Sequence, residues 1–385
     1  MSVLRPRPPE EPLGYELADA AAVADLAPRL EAVRDTILRD PAAVDLAART
    51  LADYDTARPA SDLFAILAAA REIRDTVDRL VVVAGGTIGP ATRLLAASCC
   101  HPFHDQLGRG ERGGRPRLSW LDGRSDNDTI QGLLDLAARP AGSPPDDLLG
   151  RWGLVPVDCP ADDSRQEAVV RLLLEQLAES VAGDRCRLAE RIVPVTVAGG
   201  ALARLTRPFA CRWSFPAAPE IHTLAAAFSA ATLLPAAVAG IDVVRFLKGA
   251  AAMLQRFREA PLDTNPPLLD AALALAERRR RRSGERRFAG PQGGGRQGQS
   301  GWLLELADWL AADRCPGPPA AAVVTRVVAG EPRRDRLELP PPAEDDLAAV
   351  ASVIHLPRVD EHAVGQLLQA LILSAAVERL LEQPV

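Results

Sequence analysis

LVVVAGGTIGPATRLLAAS, residues 80–98, changes period in its middle, and that change decides the fold. Leu80-Val81-Val82-Val83 is an unbroken apolar, β-branched run, the pattern of a short buried strand. Gly85-Gly86 closes the run, and ATRLLAAS returns apolar residues at helical spacing. The unit reads as strand, tight turn, helix. Downstream it recurs three times. RLSWLD (117–122) precedes TIQGLLDLAA, LVPVD (154–158) precedes RQEAVVRLLLEQLAESVA, and RIVPVTV (191–197) precedes GGALARLTR. Cys211 to Phe215 reads as one more strand. Short strands alternating with helices predict an α/β architecture, a parallel sheet with helices on both faces.

On either side of this core the period is helical. Residues 17–79 place Leu, Ile and Val at three- and four-residue intervals, with Ser61 as an N-cap. A long helical region follows from about 225 to 282. RRRRRSGERRFAGPQGGGRQGQSG (278–301) reads as a mobile surface loop, with an anion-binding arm as the alternative. Beyond it GWLLELADWLAA is helical, 320–328 and ASVIHL (351–356) are strand-like, and HAVGQLLQALILSAAVERLL is a closing helix. The predicted division is therefore 1–60, an N-terminal tail and helices; 61–220, a first α/β unit; and 221–385, a helical linker with a second, smaller α/β unit.

The chain has 385 residues, 48% hydrophobic and 25% charged, as expected of two globular domains. A net charge of −6 argues against a nucleic-acid binder. Lys248 is the only lysine, so one residue at most can fill any lysine role. No signal peptide and no run of 18 apolar residues is seen, so a cytoplasmic protein without a membrane span is expected. The six cysteines are scattered and read as reduced thiols. Cys99-Cys100-His101-x-x-His104 lacks a second ligand cluster, and neither a metal nor any other cofactor is expected.

FSAATLLPAAVAGIDVVRFLKGA (228–250) resembles the segment of glucose-6-phosphate isomerases reading G-G-R-F-S-x-x-S-x-x-G-L-L-P-A-A-x-A-G-I-D, with Ser229 on the second serine. Other pieces follow in the family's order: LVVVAGGTIGP its first strand and phosphosugar turn, RIVPVTVAGGALARL its V-T-x-x-x-S-x-L-A-x-L, Asn265-Pro266 its N-P-A, and EQPV its ending. The similarity is greatest to short bacterial forms and those fused to a transaldolase. The resemblance implies two sugar-isomerase (SIS) units, each a parallel sheet flanked by helices, after an N-terminal helical segment. It also implies a homodimer and a sugar phosphate as ligand. The family's reaction is the aldose–ketose interconversion of glucose 6-phosphate and fructose 6-phosphate, an intramolecular oxidoreduction of glycolysis and gluconeogenesis.

Such chemistry needs a phosphate cradle, a carboxylate to move a proton between C1 and C2, and groups that stabilise the enediolate. Gly85, Gly86 and Thr87 offer a cradle at a strand-to-helix turn; the alternative is a tight turn alone. Where the family has S-K-S-G-G-T-x-E-T, this chain has Asp158-Cys159-Pro160-Ala161-Asp162-Asp163-Ser164-Arg165-Gln166-Glu167. Three aspartates stand for hydroxyls and lysine, and each lost charge-assisted bond forfeits roughly 1.5–3 kcal/mol. Ser164 is the remaining contact; Asp162 and Asp163 suit a helix cap instead. Leu224 falls where the resemblance puts the arginine of G-G-R-F-S, with His222 beside it as a polar substitute. Asp313, after Trp309, is the one carboxylate near the place of the family's catalytic glutamate; the alternative is an exposed acid ending a helix. The lysine after Q-P-x-V is expected to be missing, since the sequence runs to Val385. The expectation is thus a divergent relative with a degraded active site, the alternative being a non-catalytic sugar-phosphate-binding or structural protein.

Overall fold

A computed structural model describes residues 10–19, 25–138, 148–159, 163–217, 224–279, 286–289, 301–312, 323–331 and 350–382. The strands are β1 (Gly14–Leu17), β2 (Arg79–Val83), β3 (Arg117–Leu121), β4 (Trp152–Pro156), β5 (Val195–Thr196), β6 (Phe215–Pro216), β7 (Arg286–Ala289), β8 (Val323–Glu331) and β9 (Val350–Arg358). The chain divides into two compact units, 53–242 and 1–52 with 243–385.

Unit 53–242 is built on the strand–turn–helix repeats. β2 lies between β3 and β4 and pairs parallel with both. Parallel bridges from Leu154 to Ile192 and from Val157 to Val195 carry the sheet on to β5, which pairs parallel with β6. Both faces are covered, as parallel sheets require. Val81, Val83 and Leu154 pack with Ile130, Leu133, Val170, Leu173 and Leu177 of the Asn127–Ala137 and Asp163–Ser180 helices. The Ala230–Val238 helix packs against the Asp62–Thr76 and Ile88–Cys99 helices. Ser61 caps the Asp62–Thr76 helix, accepting from the Phe64 N–H, as its position predicted. At the amino end of β2, buried Asp78 is held by Arg112 at 2.8 Å, by Arg109 at 3.5 Å and by Arg117. Both oxygens of that buried carboxylate meet cations, which is what makes its burial tolerable.

The second unit carries a four-stranded sheet ordered β1-β9-β8-β7. β7, β8 and β9 run parallel, and β1 joins β9 antiparallel, so this sheet is mixed where an all-parallel one was expected. Arg286–Ala289, read from sequence as part of a surface loop, forms strand β7; residues 280–285 and 290–300 of that stretch lie outside the described residues. Buried Gln366 fixes the segment leading into β1, accepting from Leu13 N at 3.1 Å and donating to Glu11 O at 2.9 Å. The Glu361–Glu382 helix is long and apolar enough to cross a membrane by length and composition, yet 78% of its most apolar window is buried inside the protein. It packs on the Val243–Glu259, Pro266–Arg279 and Ala27–Arg39 helices as the core helix of its unit.

Candidate functional site

In an open parallel sheet, ligands bind outside the carboxyl ends of the strands where the strand order reverses. Here β3 lies on one side of β2 and β4 on the other, so the reversal falls between β2 and β4. The segments that leave these two strands, described over 84–87 and 157–159, frame the candidate site.

The first turn is dictated by glycine. Gly86 is exposed at φ +55°, a left-handed conformation that costs a side-chain-bearing residue about 1 kcal/mol or more. Gly89, in the first helical turn, lies where a Cβ would come 2.8 Å from the Ala84 carbonyl oxygen. The helix therefore seats on the strand end only because that position has no side chain. Thr87 is 1% exposed and begins the helix without capping it through its hydroxyl.

Side chains build the second turn. The Cys159 thiol, 5% exposed, donates to the Gly85 carbonyl at 3.2 Å and so ties the two turns together. Gln166, 2% exposed, donates to the Val157 carbonyl at 2.6 Å and approaches the Val83 carbonyl at 3.4 Å, spanning the ends of β4 and β2. The Asp158 carboxylate accepts from Val197 N at 2.8 Å and anchors the turn that follows β5. Its backbone N–H bonds the Val195 carbonyl at 3.0 Å. The Cys159, Gln166 and Asp158 side chains are thus engaged with main-chain groups of the same edge.

The turn after β3 is closed in the same way. Asp122 accepts from Arg124 N at 2.8 Å and from the Ser125 hydroxyl at 3.2 Å. Arg165 reaches the Ser125 carbonyl at 3.3 Å. Asp126 accepts from Thr129 N at 2.7 Å, and the Thr129 N–H and hydroxyl hold its carboxyl below the ordinary carboxylate range. Among the described residues of this edge, Asp122, Asp126 and Asp158 outnumber Arg124 and Arg165, whereas a phosphate dianion calls for positive charge.

Gly85, Gly86 and Thr87 come to the switch point together, and Ser164, exposed in the first turn of the helix after β4, lies on the same edge. Ser229 precedes the Ala230–Val238 helix and donates its hydroxyl to the Ala226 carbonyl at 2.8 Å. Leu224 is buried at 4% exposure. His222, Asp162 and Asp313 lie outside the described residues, as does the side chain of Asp163. Cys159 and Gln166 escaped the sequence reading as residues that shape the site. Gln166 did carry a signal: it continues the 170, 173, 177 apolar stripe of its helix as that stripe's one amide. The Cys99–His104 stretch is used locally, with His101 accepting from Phe103 N at 3.0 Å and His104 meeting the Pro116 carbonyl at 3.2 Å. Among the described residues no group of three or more His, Cys, Asp or Glu is placed to hold a metal ion.

An α/β chain with small parallel sheets flanked by helices is also what solved structures similar to it contain. A hypothetical protein of Thermus thermophilus aligns at a TM-score of 0.67 and 18% identity, over 94% of this chain and 91% of that one. A glucose-6-phosphate isomerase of Chlamydia trachomatis aligns at 0.65 and 13% identity, over 95% and 83%. At these identities the likeness shows the fold. In sequence, a glucose-6-phosphate isomerase of Rubrobacter xylanophilus is 29% identical over 253 residues, 65% of this chain. The match spans about half, 52%, of that relative's length. No protein-family model matches. The chain is a distant relative of glucose-6-phosphate isomerase.

Proposed function

We propose that this chain is a cytoplasmic glucose-6-phosphate isomerase relative with a degraded active site. It holds a sugar phosphate weakly at the Gly85-Gly86-Thr87 turn and turns it over slowly or not at all. The observation that carries the reading is the bond from Cys159 Sγ to the Gly85 carbonyl, together with Gln166 on the Val157 carbonyl. A phosphate held between two strand-to-helix turns needs backbone N–H groups and hydroxyls from both. Here one turn keeps its glycines while the other spends its polar groups on its neighbours. Ser164 and Ser229 are the further hydroxyls proposed for the ligand. Asp313 is the proposed proton carrier, with His222 as the polar group beside the reacting oxygen; Leu224 brings no charge to that place. Two SIS units, divided near 220, and a homodimer complete the proposal by analogy with the relatives.

A coupled assay converting fructose 6-phosphate to glucose 6-phosphate tests the loss of turnover. Working enzymes turn over at about 1–1,000 per second, so a rate in that range would restore the alternative of an active isomerase, which the sequence match favours. Thermal shift with glucose 6-phosphate, fructose 6-phosphate and 6-phosphogluconate tests the binding. Thr87→Asp should abolish any shift, and an unchanged shift removes Thr87 from the site.

A further inference from the structure

At the amino edge of the same sheet, away from the switch point, Arg191 ends the short Arg185–Arg191 helix. Its backbone carbonyl lies against Gly153 of β4, and Ile192 bridges to Leu154. The residue is 7% exposed, and its Nε is sealed from water with no hydrogen-bond partner. No described carboxylate forms an ion pair with it. Arg112, equally buried in this unit, shows the contrast, since Asp78 receives it at 2.8 Å. The charged groups acting on Arg191 are two cations, Arg151 and Arg187, and two anions, Glu190 and Asp184. Burial first, then Arg151 and Arg187, lower its pKa to about 10, while Glu190 and Asp184 act more weakly in the other direction. Asp184 is already engaged, capping the helix through Cys186 N and Arg187 N and pairing with the Arg187 guanidinium at 3.3 Å.

A buried guanidinium without a hydrogen-bond partner is costly unless an anion completes it. Among the described residues no acceptor is bonded to its terminal nitrogens either, and the planar donor edge of a guanidinium suits bidentate oxyanions. We propose that Arg191 binds a phosphate-type oxyanion at the amino edge of the first sheet. This site is separate from the switch-point turn and from any sugar-phosphate reading of it.

Thermal melting in inorganic phosphate tests the proposal, with sodium chloride at matched ionic strength as control because exposed charges are screened by any salt. Wild type should show a saturable rise on the order of 5 °C that chloride does not reproduce. Glucose 6-phosphate serves as a second probe, distinguishing a free oxyanion from a phosphomonoester. Arg191→Met should melt higher than wild type without phosphate and lose the phosphate response. Arg191→Lys keeps the charge without the fork, folds if the methionine variant does not, and should lose most of the response. Thr87→Asp should leave it intact. A wild-type response no larger than that in chloride, or a full response in either Arg191 variant, overturns the proposal.

Discussion

The two turns at the switch point are made by different means. The turn after β2 depends on what its residues lack: Gly86 has no Cβ to strain at φ +55°, and Gly89 none to meet the Ala84 carbonyl. The turn after β4 depends on what its residues carry, namely the Cys159 thiol, the Asp158 carboxylate and the Gln166 amide. A backbone requirement survives as long as the fold does, because any side chain is penalised there. Side chains can be exchanged for others that serve packing instead of a ligand. The likeness to a solved isomerase is accordingly one of fold, while the proposed loss of phosphate chemistry falls on the turn that side chains build.

Substitutions in the two turns should break in correspondingly different ways. Gly89→Ala forces a Cβ onto backbone that cannot rotate aside and should cost about 3 kcal/mol in urea unfolding. A near-neutral result would mean that the helix does not seat on the strand end as described. Gln166→Leu keeps the volume but strands the Val157 carbonyl, a loss of about 2 kcal/mol. Gln166→Glu would bring an acceptor to an acceptor and should be worse than leucine, an order that chemical denaturation checks directly. Gly86→Ala meets no atom within 4 Å, so only the left-handed backbone is penalised and about 1 kcal/mol is expected.

The smallest effect is one of pH. The Asp126 carboxyl is held below its ordinary value of 3.8 in the fold, so it binds protons more readily when unfolded. Its contribution is present above 3.8 and fades as pH falls through the lowered folded value. Asp126→Asn should therefore differ from wild type above that window and converge with it below, in unfolding curves followed from neutral pH into acid.

Much of the first unit was legible because its signals are local. Leu80–Val83, Leu118, Leu121 and Leu154 are apolar runs that only a covered sheet can use, and turn glycines and helical periods separate them. The second sheet was less so. β1 is four residues long and finds its partner when Gly14 meets His355, a pairing no window of sequence contains. β7 lies in an arginine- and glycine-rich stretch whose composition argues for a loop, and only its parallel register with β8 makes it a strand. In the candidate site Gly85–Thr87 could be read directly, but Cys159 could not. A cysteine in a loop gives no hint that its thiol crosses to a carbonyl 74 residues earlier.

That thiol also offers the most direct test. The account holds that Cys159 closes the edge between β2 and β4, buried and bonded to Gly85, while Cys186 stands exposed. Native protein treated with iodoacetamide and mapped by mass spectrometry should be alkylated at Cys186 well before Cys159, with Cys159 reacting only as the protein unfolds. Cys159 labelling as fast as Cys186 in the folded protein would mean an open crevice, and would contradict the account.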